Sequence, residues 1–459
     1  MATSPKLPRP AYVCNACGAS APKWAGQCAD CGAWNSLEEQ ARLPKPGGRV
    51  GGRGGHAGPP DGARIERLAD IRPEERMRFS TGIGELDRVL GGGLVTGSVV
   101  LLGGDPGIGK STLLLQACEH LGADEPVLYV SGEESAQQIG LRARRLGLGG
   151  AGIRLLAETG VERILDQAQA ERPRVMVVDS IQTLYTELLQ SAPGSVGQVR
   201  ETAAKLVRFA KQADTAVFLI GHVTKEGALA GPRVLEHMVD TVLYFEGEAG
   251  GAFRLVRAIK NRFGAVNELG VFAMGDKGLR EVRNPSAIFL SRHDQPVPGS
   301  LVMVTREGTR PLLVEVQALV DESPLANPRR VALGLDQNRL SMLLAVLHRH
   351  GGVAMFNQDV YVNVVGGVRI GETAADLAVV LAVLSSFRDR PMPLDLAVFG
   401  EVGLSGEVRP VPNGPDRLRE AAKHGIRRAI VPAGNVPKEG VDGLDILAVR
   451  TLAAAIDGV

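Results

Sequence analysis

From about Ile65 onward the chain alternates between short apolar runs and longer stretches of helical composition. The runs Ser98–Leu102, Val127–Val130, Val175–Val178, Ala216–Ile220 and Thr241–Phe245 are rich in β-branched residues and nearly free of polar ones. Strands buried on both faces have this pattern, and intervening helices supply the crossovers of a parallel sheet covered on both sides. Phe253–Ile259 instead alternates, with Arg254 and Arg257 between apolar positions, as an edge strand would. A second α/β region begins near Pro296. It is predicted to hold a strand at Leu301–Val304, a long helix at Arg339–His350, a strand at Val360–Val365, a helix at Ala374–Phe387 and a strand at Leu396–Phe399. Ahead of Ile65, residues 41–64 hold Gly47–Gly55 and Pro59-Pro60, a flexible, mildly basic tether with nothing to bury. The expected domains are 1–40, the tether 41–64, an α/β domain 65–290 and a second α/β domain 291–459.

With 459 residues, 44% of them hydrophobic, the chain can build two or three real cores and is not a disordered protein. There is no apolar run of 18 residues, and Met1–Pro10 is polar and contains proline, so a soluble, cytoplasmic protein without a membrane segment is expected. A net charge of +1 means that any nucleic-acid surface must be local. Aromatic residues, at 4%, limit recognition by extensive base stacking.

Gly104-Asp105-Pro106-Gly107-Ile108-Gly109-Lys110-Ser111, followed by Thr112, matches G-x-x-x-x-G-K-[ST], the phosphate-binding P-loop. The apolar run before it and the helical run Thr112–Ala117 after it supply the strand–loop–helix context that a chance glycine-rich turn lacks. Glycines let backbone N–H groups close on the phosphates of ATP, and the helix N-terminus adds partial positive charge. Lys110 would reach the β- and γ-phosphates, and the Ser111 hydroxyl would ligate Mg2+. Asp179 ends the run Val175–Val178, the Walker B placement for a second Mg2+ ligand. Glu133 and Glu134 follow Val127–Val130; Glu133 is the first choice for the base that activates water, and Glu134 the alternative. His222 follows Ala216–Ile220 and reads equally as a γ-phosphate sensor or a structural histidine. The glycine-rich stretch 223–232 after it suits contact with a polymer. Lys260-Asn-Arg262-Phe-Gly264 places two cations on one side of an extended segment. Spacing alone favours a solvated basic pair there.

Four of the five cysteines form two C-x-x-C pairs, Cys14/Cys17 and Cys28/Cys31. Each pair sets two thiolates on one turn, and this spacing predicts a structural Zn2+ ribbon rather than two disulfides. Four sulfur ligands would leave no open position for metal catalysis. Cys118 reads as a small core residue.

The ribbon, Thr81-Gly-Ile-Gly-Glu-Leu-Asp87, the P-loop, Tyr129-Val-Ser-Gly-Glu-Glu-Ser135 and Lys260–Gly264 stand in the order found in the bacterial RadA/Sms family of DNA recombination and repair ATPases. The chain resembles that family over essentially its whole length. The resemblance implies an N-terminal zinc ribbon, a RecA-like ATPase core and a Lon-protease-like C-terminal α/β domain. It further implies a hexameric ring on single-stranded DNA, driving branch migration of recombination intermediates much as the replicative DnaB helicase moves, with a RecA-type recombinase as partner. In that setting Lys260 and Arg262 act on the neighbouring subunit's nucleotide, Glu133 matches the catalytic glutamate, and 223–232 is a DNA-binding loop. The C-terminal half departs from active Lon proteases. Ala374 occupies the serine position and Pro415 falls where the lysine base belongs, which removes Ser-Lys chemistry. Arg369, Arg409, Arg417 and Lys423 are then candidates for a DNA-facing surface. The rival readings are a KaiC-like regulatory ATPase, from Thr81–Asp87 and Gly91–Leu94, and an ATP-dependent Lon-type protease.

Overall fold

The computed structural model describes residues 11–15, 19–21, 23–40, 77–123, 125–221, 235–247, 251–290, 295–325 and 327–459. The chain divides into two units, Met1–Glu281 and Val282–Val459.

In the first unit, β1 (Ala11–Cys14), β2 (Ser20–Ala21) and β3 (Leu37–Gln40) make a small antiparallel sheet in the order β2-β1-β3. Its core is Cys14, Cys28 and Leu37, too little to fold unaided without a staple. Beyond it, β4 (Arg78–Phe79), α1 (Gly84–Leu90) and β5 (Leu94–Val95) lead into the main sheet. That sheet comprises β6 (Val99–Gly104), β7 (Val127–Ser131), β8 (Ile153–Ala157), β9 (Val175–Asp179), β10 (Ala216–Ile220), β11 (Thr241–Glu246), β12 (Phe253–Asn261), β13 (Leu269–Gly275) and β14 (Gly278–Glu281). The crossovers include α2 (Lys110–Leu121), α3 (Ala136–Leu146), α4 (Val161–Glu171) and α5 (Val196–Ala213).

The strand order is β14-β13-β12-β11-β6-β10-β9-β7-β8. From β8 to β11 every pairing is parallel. Every residue of β6, β7, β9 and β10 is buried. Alternate residues feed two cores: Val100, Leu102, Tyr129, Val177 and Phe218 on one face, and Val99, Leu101, Leu128, Val178 and Leu219 on the other. The α3 start is fixed by a capping box, with Ser135 accepting from the Gln138 N–H and the Gln138 side chain from the Ser135 N–H.

Beside these parallel strands, β12, β13 and β14 add antiparallel ones. One expectation is corrected: Phe253–Ile259 is not an edge, since β12 pairs with β11 on one side and β13 on the other. Its polar positions do not mark a solvent face: Arg254 is buried, while Phe253 and Ile259 are exposed.

The second unit holds a mixed seven-stranded sheet that includes β15 (Ser300–Glu307), β16 (Arg310–Glu322) and β18 (Gln358–Val364), the last two separated in sequence by β17 (Arg330–Leu333). The helix Asp376–Arg388 is buried almost all round, and the helix Gln337–Gly351 begins at the Asp336 side-chain cap. Arg417 is also corrected. It is 1% exposed, not at the surface. Its guanidinium donates to the Val304 carbonyl (2.7 Å), to both oxygens of Glu372 (2.8 and 2.6 Å) and to the Pro412 carbonyl (3.1 Å), and lies over the Phe399 ring. Removing one member of such a pair strands buried polar atoms. Arg417→Ala is therefore expected to destabilise this unit by about 3 kcal/mol, read as a lower unfolding midpoint. An unchanged midpoint would contradict the pairing.

Candidate ATPase and metal sites

The P-loop leaves the C-terminal end of β6 and enters α2 without an intervening side-chain cap. Glycine is required at Gly104, where φ is +148° and a Cβ would lie 2.7 Å from the Phe245 carbonyl oxygen. At Gly107, φ is +74° and a Cβ would meet nothing, so the loop there borders open space. Arg254 on β12 braces the loop from behind, its Nε donating to the Ile108 carbonyl at 3.1 Å. Sequence reading missed this brace, because an arginine in an alternating strand reads as a solvated residue.

Lys110 opens α2 and is 3% exposed. Its Nζ donates to the carbonyls of Gly104 (2.7 Å) and Asp105 (2.8 Å). Burial lowers its pKa to about 8, against the opposing pull of Asp179, Asp105 and Glu133. These three acids therefore converge on the one ammonium. Polyphosphate favours the charged lysine, so below pH 8 the cation is already present, and above it binding requires proton uptake. ATP affinity is expected to be flat from pH 7 to 8 and to fall by up to about tenfold per unit above that. Affinity unchanged to pH 9.5, measured with a fluorescent ATP analogue, would contradict this.

Asp179 closes β9, next to β7 in the sheet, with Ser131 opposite it in register. The Gly132 N–H donates to the Asp179 carbonyl at 2.8 Å, which ties the loop carrying both glutamates to the Walker B strand. The Ser180 hydroxyl donates to Glu133 Oε1, while Glu134 is ion-paired with Arg142. The two candidate bases are thus separated by environment: Glu133 faces the Walker B strand end, and Glu134 is committed to α3. Asp179 and Ser111 offer only oxygen donors, beside a lysine that balances charge, and this set fits Mg2+.

Lys260 and Arg262 lie elsewhere. Val242 pairs with Lys260 and also with Leu101, and Thr241 pairs with Val100, whereas the P-loop departs beyond Gly104. The two cations therefore sit at the end of the sheet opposite the P-loop. Lys260 Nζ donates to the carbonyls of Glu236 (2.6 Å) and Val239 (2.9 Å). Arg262, with its side chain 55% exposed, meets Asp240 at 3.2 Å. The rest of the motif is structural. Asn261 accepts from the Phe263 N–H (2.9 Å), and Gly264 packs where any Cβ would be 2.7 Å from the Gly91 Cα. Asp87 likewise accepts from the Thr81 N–H and hydroxyl, both at 2.8 Å, closing the Thr81–Asp87 turn.

In the ribbon, the sulfurs of Cys14, Cys28 and Cys31 lie within 4.8 Å of one another. Cys14 and Cys31 are 3.6 Å apart, close to the edge of a tetrahedron with metal–sulfur bonds of about 2.3 Å and far beyond a disulfide. The set fits Zn2+. Cys17, His222 and 223–232 lie outside the described residues. Cys118 is buried in α2, and burial pushes its thiol up to about 12, which makes it an inert core residue.

In the second unit Ala374 is buried in a turn ahead of the helix Asp376–Arg388, and Pro415 occupies the first turn of the helix Gly414–Lys423. Neither supplies a nucleophile or a base. Arg369 is exposed, Arg409 pairs with Glu401 and Glu407, and Lys423 pairs with Glu420. Among the described residues no helix is long and apolar enough to cross a membrane.

Residues 12–39 match the rubredoxin metal binding domain, 71–228 the AAA domain and 338–435 the subunit ChlI of Mg-chelatase. The DNA repair protein RadA of Pseudomonas aeruginosa is 66% identical over 98% of both chains, and that of Escherichia coli is 59% identical over 98% of both. The Bacillus subtilis protein of the same name is 49% identical over 97% of both. With a P-loop, a Walker B strand and a cysteine ribbon in one chain, and relatives this similar across its full length, the protein belongs to the family of the DNA repair protein RadA.

Proposed function

We propose that this protein is a DNA-stimulated ATP hydrolase that assembles as a homo-oligomeric ring, probed most simply as a hexamer, loads on single-stranded DNA and drives branch migration of recombination intermediates. Membership of a DNA repair family and the AAA-type core make it an ATP-hydrolysing enzyme. The observation that carries the finer reading is the separation of Lys260 and Arg262 from their own P-loop. Cations of this kind serve transferring phosphates, and here they can do so only for a second copy. Lys110 holds the β- and γ-phosphates, and Ser111 and Asp179 hold Mg2+. Glu133 accepts the proton of the attacking water as the β–γ bond breaks and ADP leaves. Lys260 and Arg262 of the neighbouring copy neutralise charge on the departing phosphate. In the second unit the Ala374 and Pro415 substitutions favour a scaffold over a protease. A RecA-type recombinase is the partner this role calls for.

The test is ATP turnover by the purified protein with and without single-stranded DNA. Strong stimulation that weakens steeply with salt is expected, since phosphate contacts release counterions. Turnover indifferent to DNA would overturn the proposal and favour a regulatory ATPase.

A further inference from the structure

Three of the four residues of the run Val127–Val130 are aliphatic, and the fourth, Tyr129, carries a hydroxyl into the core. The side chain is 1% exposed. A buried phenol needs a hydrogen-bond partner, where phenylalanine would fill the same space without one. The partner is Asp179: the Tyr129 hydroxyl donates to Asp179 Oδ2 at 2.7 Å, from a position two residues short of the register point at which Ser131 faces Asp179. One oxygen of the Walker B carboxylate is thereby held, which fixes the rotation of the group and leaves Oδ1 for a cation.

We propose that Tyr129 is a positioning residue for Mg2+, orienting the Asp179 carboxylate through its hydroxyl toward the metal that accompanies ATP. This rests on the reading of Asp179 as a Mg2+ ligand. Groups that orient a metal-binding carboxylate contribute to metal affinity without touching the metal. They leave the metal-independent part of nucleotide binding alone, and that is how the role separates from a purely structural one.

The experiment titrates Mg2+ into full-length protein holding a fluorescent ATP analogue, starting from EDTA, for wild type, Tyr129→Phe, Asp179→Asn and the double variant. Tyr129→Phe is expected to bind the analogue as wild type does in EDTA and to raise the Mg2+ midpoint about tenfold. In the Asp179→Asn background the same change should do nothing more. If Asp179→Asn raises the midpoint and Tyr129→Phe does not, the tyrosine proposal is overturned while the metal-ligand reading stands. If neither raises it, both fall. Should Tyr129→Phe bind the analogue poorly in EDTA, or unfold, the residue is structural and the proposal is again overturned.

Discussion

Lys110→Ala is expected to lower ATP turnover by at least about a hundredfold without unfolding the protein. The ammonium is buried among Asp105, Glu133 and Asp179, and burial has already brought it down to a pKa of about 8. Its removal leaves three acids facing incoming phosphates with no cation between them. The transition state loses more than the ground state, because negative charge concentrates at the γ-phosphate as its bond breaks. The structural cost is confined to the Gly104 and Asp105 carbonyls, which each lose one donor. Lys110→Arg is expected to fail as well, since a planar fork does not reproduce a compact ammonium. A coupled turnover assay, with thermal unfolding as control, checks both variants. Turnover within threefold of wild type in Lys110→Ala would remove the P-loop from the chemistry.

Arg262→Ala is expected to bind nucleotide as wild type does and to lose DNA-stimulated turnover by about a thousandfold, the scale of an arginine finger supplied by a neighbour. The geometry dictates this split. Arg262 lies at the end of the sheet away from its own P-loop, so it contributes nothing to nucleotide binding within one copy. The buried Asp240 aims it: one carboxylate oxygen meets Arg262, and the other accepts from Lys211 and from the Val99 N–H. A residue that only solvated the surface would leave both nucleotide binding and DNA-stimulated turnover unchanged when replaced. Wild-type stimulation in the variant, by the same assay, would return Lys260 and Arg262 to the role of a basic surface pair.

Much of this organisation is legible in the residues, and the misreadings have physical causes. β6, β7, β9 and β10 announce themselves because strands wet on neither face admit almost no polar residue. The P-loop is legible because phosphate geometry demands glycine at fixed positions. β8 was not read as a strand: it lies at the sheet edge with Arg154 and Leu155 exposed, and Arg154 interrupts its short apolar run. β12 was misread because Arg254, which reads as a solvent-facing residue, is buried against the P-loop, while Phe253 and Ile259 are exposed. Arg417 was misplaced because its partners, Glu372 and the Val304 carbonyl, are distant in sequence and become visible only when the sheet and helix close on them. The choice between Glu133 and Glu134 depended on Ser180 and Arg142, which no local spacing relates to them. Tyr129 reads as an ordinary core aromatic until its hydroxyl is seen against Asp179.

The central claim is that a complete ATPase site is assembled from two copies of this chain. Its most direct measurement is the DNA-stimulated turnover of assemblies co-purified from Lys110→Ala and Arg262→Ala subunits, each inactive alone. One variant keeps the finger and the other keeps the P-loop, so mixed assemblies are expected to regain a substantial part of wild-type turnover. Mixed assemblies that remain as inactive as either variant alone would contradict the claim.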